Sequence, residues 1–158
     1  MCSAQPERLR YRSWHPDPLK EHAMSLIKNM LTSHPAGNSN VDMNALATCI
    51  EACFDCVQTC TACADACLSE DMLGDMVGCI RTDLDCAEVC AATGKVLARA
   101  GKDYASVVDL VNACAAACRR CAEDCEQHAS AHDHCRICAQ ACHRCAAACD
   151  ALLLTIAS

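Results

Sequence analysis

The chain has 158 residues, a formal net charge of −7, 19 cysteines and only four aromatic side chains, Tyr11, Trp14, Phe54 and Tyr104. The length suits one domain with a core of its own, and an acidic balance without a clustered basic face argues against nucleic acid as the main partner. The rings that usually dominate a core are scarce, so something else must fill the interior.

Residues 1–16 read as a flexible arm. They contain arginines but no apolar run, so no signal peptide is visible and a cytoplasmic setting is expected. A short helix is expected over 17–33, with Asp17 as N-cap and Pro18 at the first helical position. Leu19, Ala23, Leu26, Ile27 and Met30 form its apolar face, and His34-Pro35-Ala36-Gly37 stops it. Four long helices follow. The first covers 42–68 behind Asn40 or Asp42, and the second covers 71–100 and stops at Gly101. The third covers 103–130 behind Asp103, and the last covers 133–157. Each is about 25 residues, or roughly 38 Å, long, and the connections are short enough to make neighbours antiparallel. No stretch alternates with period two, and none is expected to be long and apolar enough to cross a membrane. The expected fold is all-α: an antiparallel up-down four-helix bundle with a short extra N-terminal helix, built as a single domain over 17–158.

The inward stripe of each long helix carries cysteine where leucine would be ordinary. In CIEACFDCVQTCTACADAC the thiols are Cys49, Cys53, Cys56, Cys60, Cys63 and Cys67, spaced 4, 3, 4, 3 and 4. The second helix adds Cys79, Cys86 and Cys90, with Asp83 at the intervening step. The third adds Cys114, Cys118, Cys121 and Cys125, and the fourth adds Cys135, Cys138, Cys142, Cys145 and Cys149. Only Cys2 lies outside this set of 18. Alanines flank the seams, as at Ala115–Ala117 and Ala146–Ala148, and allow close helix approach.

A free buried cysteine often acts as a small hydrophobe, but 18 of them on four converging seams cannot fill a bundle to native density. A disulfide scaffold is also disfavoured. Thiols three or four apart on one helix have Cβ atoms roughly 5–6 Å apart, whereas a disulfide needs about 3.8 Å. The remaining occupant is a thiolate-loving metal. Thiolate is the ligating species, and buried thiolates need cations to balance them. Zinc in Cys₄ units leaves about two negative charges per site. Cu(I) is soft and monovalent, and one ion per thiolate leaves the interior nearly neutral. Two rivals remain: an iron–sulfur redox protein, and a bundle stabilised by structural zinc. The radical-enzyme spacing Cys49-x₃-Cys53-x₂-Cys56 is a by-product of any such ladder. No nucleophile–base pair stands out, so no enzymatic activity is expected.

Four alanine-rich helices, each carrying a CxxxCxxC-type ladder, resemble the bacterial copper storage proteins, specifically their cytosolic members, over about residues 17–157. The resemblance implies a four-helix bundle that stores many Cu(I) ions on the 18 ladder cysteines, and a homotetramer. It also implies partners limited to copper ions and to small copper carriers or a copper chaperone, with no nucleic acid and no membrane. At Asp83 the ladder is incomplete, so a site there would have fewer sulfurs.

The two ends of the seams differ. Leu46, Leu97, Val107, Val111, Leu152 and Ile156 make one end a hydrophobic plug. At the other end the second seam extends backward to Met76 and Met72, and the third extends forward to His128 and His132, with His134 nearby in the connecting loop. Thioether and imidazole are weaker, exchangeable copper ligands, so this end is expected to be the mouth. Asp83 joins the candidate ligands either as a secondary copper ligand or as a hydrogen-bonded buried carboxylate.

Overall fold

The computed structural model describes residues 26–35, 41–99 and 104–156. The expectations for Cys2, Asp17, Pro18, Leu19, Ala23, Asn40, Gly101 and Asp103 lie outside the described residues. Five α-helices follow in order: α1 (Leu26–Thr32), α2 (Met43–Leu68), α3 (Leu73–Leu97), α4 (Val108–Glu126) and α5 (Asp133–Ile156). A 3-10 turn, Ala105–Val107, precedes α4. Packing runs in a ring, α2 on α3, α3 on α4, α4 on α5 and α5 on α2, with α1 resting on α2. This is an antiparallel up-down four-helix bundle with a short helix ahead of it, and there is no strand among the described residues.

The capping chemistry is visible at α2. Asp42 sits in an extended conformation, and its carboxylate accepts the Asn44 and Ala45 backbone N–H groups, both at 2.8 Å. Those donors have no partner within the helix. At α4 the helix is shorter than expected. Tyr104 to Val107 form a tight turn first, and α4 ends at Glu126 rather than near 130. On α1 the contact face is Ile27 and Leu31, which pack on the core, while Leu26 and Met30 remain exposed. The i, i+4 pair 27/31 turns toward α2, so the expected packing role of Met30 is not observed.

The interior divides along its axis. Leu46, Ile50, Leu97, Val111 and Leu152 are fully buried at one end, and Tyr104 and Val107 close over them. Ile156 is only partly buried. Beyond this plug the wall becomes sulfur flanked by alanine. Small residues let the helices approach closely. A Cβ on Gly94 of α3 would lie 3.2 Å from the Phe54 ring and 3.3 Å from Cys53 Cβ on α2.

One described helix, α5, does have the length and mean hydropathy (1.2) of a membrane span, contrary to the sequence reading. Half of that stretch is buried, and the apolar character of the buried side is the thiol and alanine wall of the bundle.

The plug is packed from leucine, isoleucine and valine and needs no metal to hold it, so the reduced apo protein should keep strong helical circular dichroism. A random-coil spectrum would contradict this. Leu97→Ala, which opens a cavity in the plug, should lower stability by about 2–5 kcal/mol in denaturant titration.

Candidate metal centre

All 18 ladder cysteines are buried free thiols. Most of them contact other sulfurs within and across the helices, at distances between 3.4 Å (Cys90 to Cys118) and 4.0 Å (Cys56 to Cys118), while Cys63, Cys67 and Cys135 meet at the His134 imidazole. Contacts within one helix occur, as at Cys56–Cys60 (3.6 Å) and Cys86–Cys90 (3.9 Å). Most join different helices: Cys49–Cys149 (3.7 Å), Cys53–Cys114 (3.9 Å), Cys60–Cys142 (3.5 Å) and Cys79–Cys125 (3.5 Å). Thiolate–metal bonds of about 2.3 Å let one ion bridge sulfurs up to roughly 4.6 Å apart. Each of these pairs can therefore clasp an ion without moving a helix.

Sulfurs also converge in fours. Cys53, Cys114, Cys145 and Cys149 form one group, and Cys56, Cys86, Cys90 and Cys118 another. Within each group the ligand atoms lie within 4.8 Å of one another. Such quartets suit tetrahedral zinc as well as copper, so geometry alone does not choose the metal. They share members: Cys56 and Cys60 each belong to more than one group. Shared sulfurs favour bridged ions over separate closed sites.

Asp83 interrupts the sulfur network. It is fully buried and lies inside the tube rather than among the mouth residues. Its Oδ1 accepts thiol hydrogens from Cys121 (3.0 Å), Cys125 (3.3 Å) and Cys138 (3.3 Å), and its Oδ2 accepts from Cys79 (3.8 Å). It is thus a hydrogen-bonded carboxylate at the joint between the main sulfur network and the mouth-side thiols. Burial pushes its pKa up to about 7.

At the mouth the structure departs from the sequence extrapolation. Met76 is buried as expected, but Met72 is 67% exposed. It precedes α3 in a non-helical conformation, so the seam cannot be extended through it. His128 is only partly buried in the turn after α4, because that helix ends too early to carry it inward. His132 turns to Glu70, with Nδ1 2.8 Å from Oε1. The imidazole that faces sulfur is His134, on the first turn of α5 rather than in a loop. Its Nδ1 lies 3.4 Å from Cys135 Sγ, 3.5 Å from Cys63 Sγ and 3.9 Å from Cys67 Sγ. Its Nε2 is 3.0 Å from Glu70 Oε1. One carboxylate oxygen thus anchors two tilted imidazoles whose centroids are 5.4 Å apart. Sequence reasoning missed Glu70, although its position in the α2–α3 turn, at the histidine end, was a usable signal. Hydrogen bonding to His134, foremost, lowers the Glu70 pKa.

Burial raises the Cys67 pKa and pushes Cys135 up to about 12. Deeper in the tube, neighbouring sulfurs share protons. Sulfur neighbours, Cys114 foremost, raise the Cys149 pKa, and the contact with Cys149 at 3.7 Å lowers that of Cys49.

The family model for copper storage proteins matches residues 42–154. The chain belongs to that family. Three relatives are similar to it. The first is the copper storage protein Ccsp of Streptomyces lividans, whose structure loaded with 10 copper equivalents is 49% identical. That match covers 81% of this chain and 98% of Ccsp, with a TM-score of 0.79. A five-copper structure from the same organism, described as a cytosolic copper storage protein, matches at 49% identity over 73% of this chain and 94% of that one, with a TM-score of 0.67. The second is Cu(I)-bound BsCsp3, which is 38% identical over 66% of this chain and 93% of its own, with a TM-score of 0.59. The third is the cysteine-rich protein YhjQ of Bacillus subtilis strain 168, 39% identical over 49 residues. That match takes in 31% of this copper storage family member and spans only 45% of YhjQ.

Asp83 supplies a pH test on the apo protein. Its folded pKa, about 7, lies above the 3.8 of an ordinary aspartate carboxyl, so the native state binds the extra proton. The associated stability is present below about pH 4 and is lost as pH rises through 7. At about 1.4 kcal/mol per pKa unit, the loss is at most about 4 kcal/mol. Asp83→Asn should flatten the decline of apo stability between pH 4 and 8, as read by denaturant melts. Parallel wild-type and variant curves would refute the assignment.

Proposed function

We propose that this chain is a cytosolic copper store. It binds many Cu(I) ions through the 18 ladder thiolates, withholds them from harmful reactions and later supplies them. The observation that carries this reading is the run of overlapping sulfur groups that share members along the tube. Each Cu(I) brings one positive charge, so a ratio near one ion per thiolate keeps the buried interior neutral. Strings of zinc in Cys₄ units would accumulate about two negative charges per site. The groups lining the tube are ligands, so the role is storage rather than catalysis.

Copper enters at the end bearing Glu70, Met76, His132 and His134. The Cys63, Cys67, His134 and Cys135 group receives it, and exchange from sulfur to sulfur carries it inward past Asp83. His134 takes the part expected of Met72 and His128. In the cell the store self-associates as a homotetramer and exchanges copper with small carriers or a chaperone.

An anaerobic titration of the reduced protein tests the reading. Uptake should run well beyond four Cu(I) per chain, with growing ultraviolet thiolate-to-copper absorption. Visible cluster bands after iron and sulfide reconstitution would favour the redox rival, and saturation at a few zinc ions without copper uptake would favour the structural one. Thiols that start protonated must shed hydrogen on ligation. A pH-stat at pH 7 should therefore record about one proton released per Cu(I) bound.

His134→Ala should slow loading in stopped-flow by several-fold while leaving the final copper count nearly unchanged. Loss of much of the capacity, or an unaltered rate, would remove His134 from the loading path.

A further inference from the structure

The quartet at the mouth differs in composition from those deeper in the tube. Cys63 and Cys67 stand four residues apart at the end of α2, and His134 and Cys135 lie in the first turn of α5. Their ligand atoms lie within 4.8 Å of one another. The quartets around Cys56 and Cys60 hold sulfur alone and share members with each other. This one combines three sulfurs with one nitrogen and shares no member with them. Its thiols are buried while its imidazole is only partly covered, so an ion seated among them is reached from the solvent side.

The distances fit a tetrahedral centre. Metal–nitrogen bonds of about 2.05 Å and metal–sulfur bonds of about 2.3 Å place nitrogen roughly 3.6 Å from each sulfur. His134 Nδ1 lies 3.4 Å, 3.5 Å and 3.9 Å from the sulfurs of Cys135, Cys63 and Cys67. It therefore stands as an apex over the three sulfurs. The other ring nitrogen, Nε2, faces Glu70 Oε1 at 3.0 Å. A hydrogen donated there leaves the Nδ1 lone pair free for a metal, and carboxylate–histidine pairs of this kind orient the ligands of zinc sites. Charge also separates the candidate metals. Three thiolates and a neutral imidazole leave about one net negative charge around Zn(II) and about two around Cu(I).

We propose that Cys63, Cys67, Cys135 and His134 form a Zn(II) site, with Glu70 orienting the imidazole, and that zinc held there closes the mouth until Cu(I) displaces it. Cys₃His is a ligand set that satisfies four-coordinate zinc. Displacement is ligand exchange with no change of oxidation state: incoming Cu(I) takes the thiolates, and Zn(II) leaves to water. The softer ion prevails because thiolate favours it. The closing role rests on copper loading through this end; the zinc site itself does not.

Titration of the full reduced apo chain with zinc sulfate, in competition with a chromogenic chelator, tests the site. Zinc should bind in a distinct first step of one ion per chain. X-ray absorption at the zinc edge, on protein carrying one equivalent, should report three sulfurs and one nitrogen. Glu70→Gln should weaken this first zinc about 10-fold, as loss of an outer partner of a zinc ligand does, and His134→Ala should weaken it further. Circular dichroism checks that both variants stay helical. Cu(I) added to the one-zinc protein should release one Zn(II) per chain, and stopped-flow loading should be several-fold slower than for zinc-free protein. A four-sulfur shell, the lack of a distinct first step, or a first zinc indifferent to His134→Ala overturns the site. A one-zinc protein that loads copper at the zinc-free rate overturns the closing role. Neither result touches the storage reading, which fails only if zinc-free protein takes up no more than a few Cu(I).

Discussion

Sulfur held within 4 Å of sulfur, in a space water does not reach, is the constraint on which the rest of the molecule depends. A thiol is too small to fill the centre of a four-helix bundle, and a thiolate is too costly to bury without a cation. The chain meets the first demand by lining the flanks with alanine, which draws the helices together. It meets the second by keeping protons on the thiols until a monovalent soft ion can replace them. The interior is nearly neutral in either state. This explains how a protein of modest size can hold so many potential charges without unfolding itself.

Polarity along the bundle axis follows from where the helices begin and end. The plug gathers the start of α2, the end of α3, the start of α4 and the end of α5. These termini bring leucine, isoleucine and valine together and anchor the empty bundle. The opposite termini bring Glu70, Met76, His132 and His134 together. There, ligands of graded softness sit between water and thiolate, and one glutamate holds two imidazoles in place. Asp83 stands between these regions. It is the only described carboxylate within the sulfur network, and burial leaves its proton only loosely held near neutral pH.

The sequence made the bundle legible because its signal was redundant. Four ladders with the same 4-3 rhythm specify four inward faces, and no single helix had to be read alone. All 18 ladder thiols are buried in the tube, as the spacing required. Legibility failed where helical periodicity was carried past a helix end. Met72 and His128 lie on extrapolated seams, but α3 starts after the former and α4 stops before the latter. Periodicity cannot report its own limits; those depend on capping and on turns such as Tyr104–Val107. Glu70 was missed for a related reason. Its role comes from two histidines more than sixty residues away, brought near by tertiary packing.

The plug has a further consequence in time. On the proposed route through the His134 end, a plugged vessel fills and drains through one opening. Positions near Cys49 and Cys149 then lie farthest from that opening and form a deep reserve, while those near the rim turn over first.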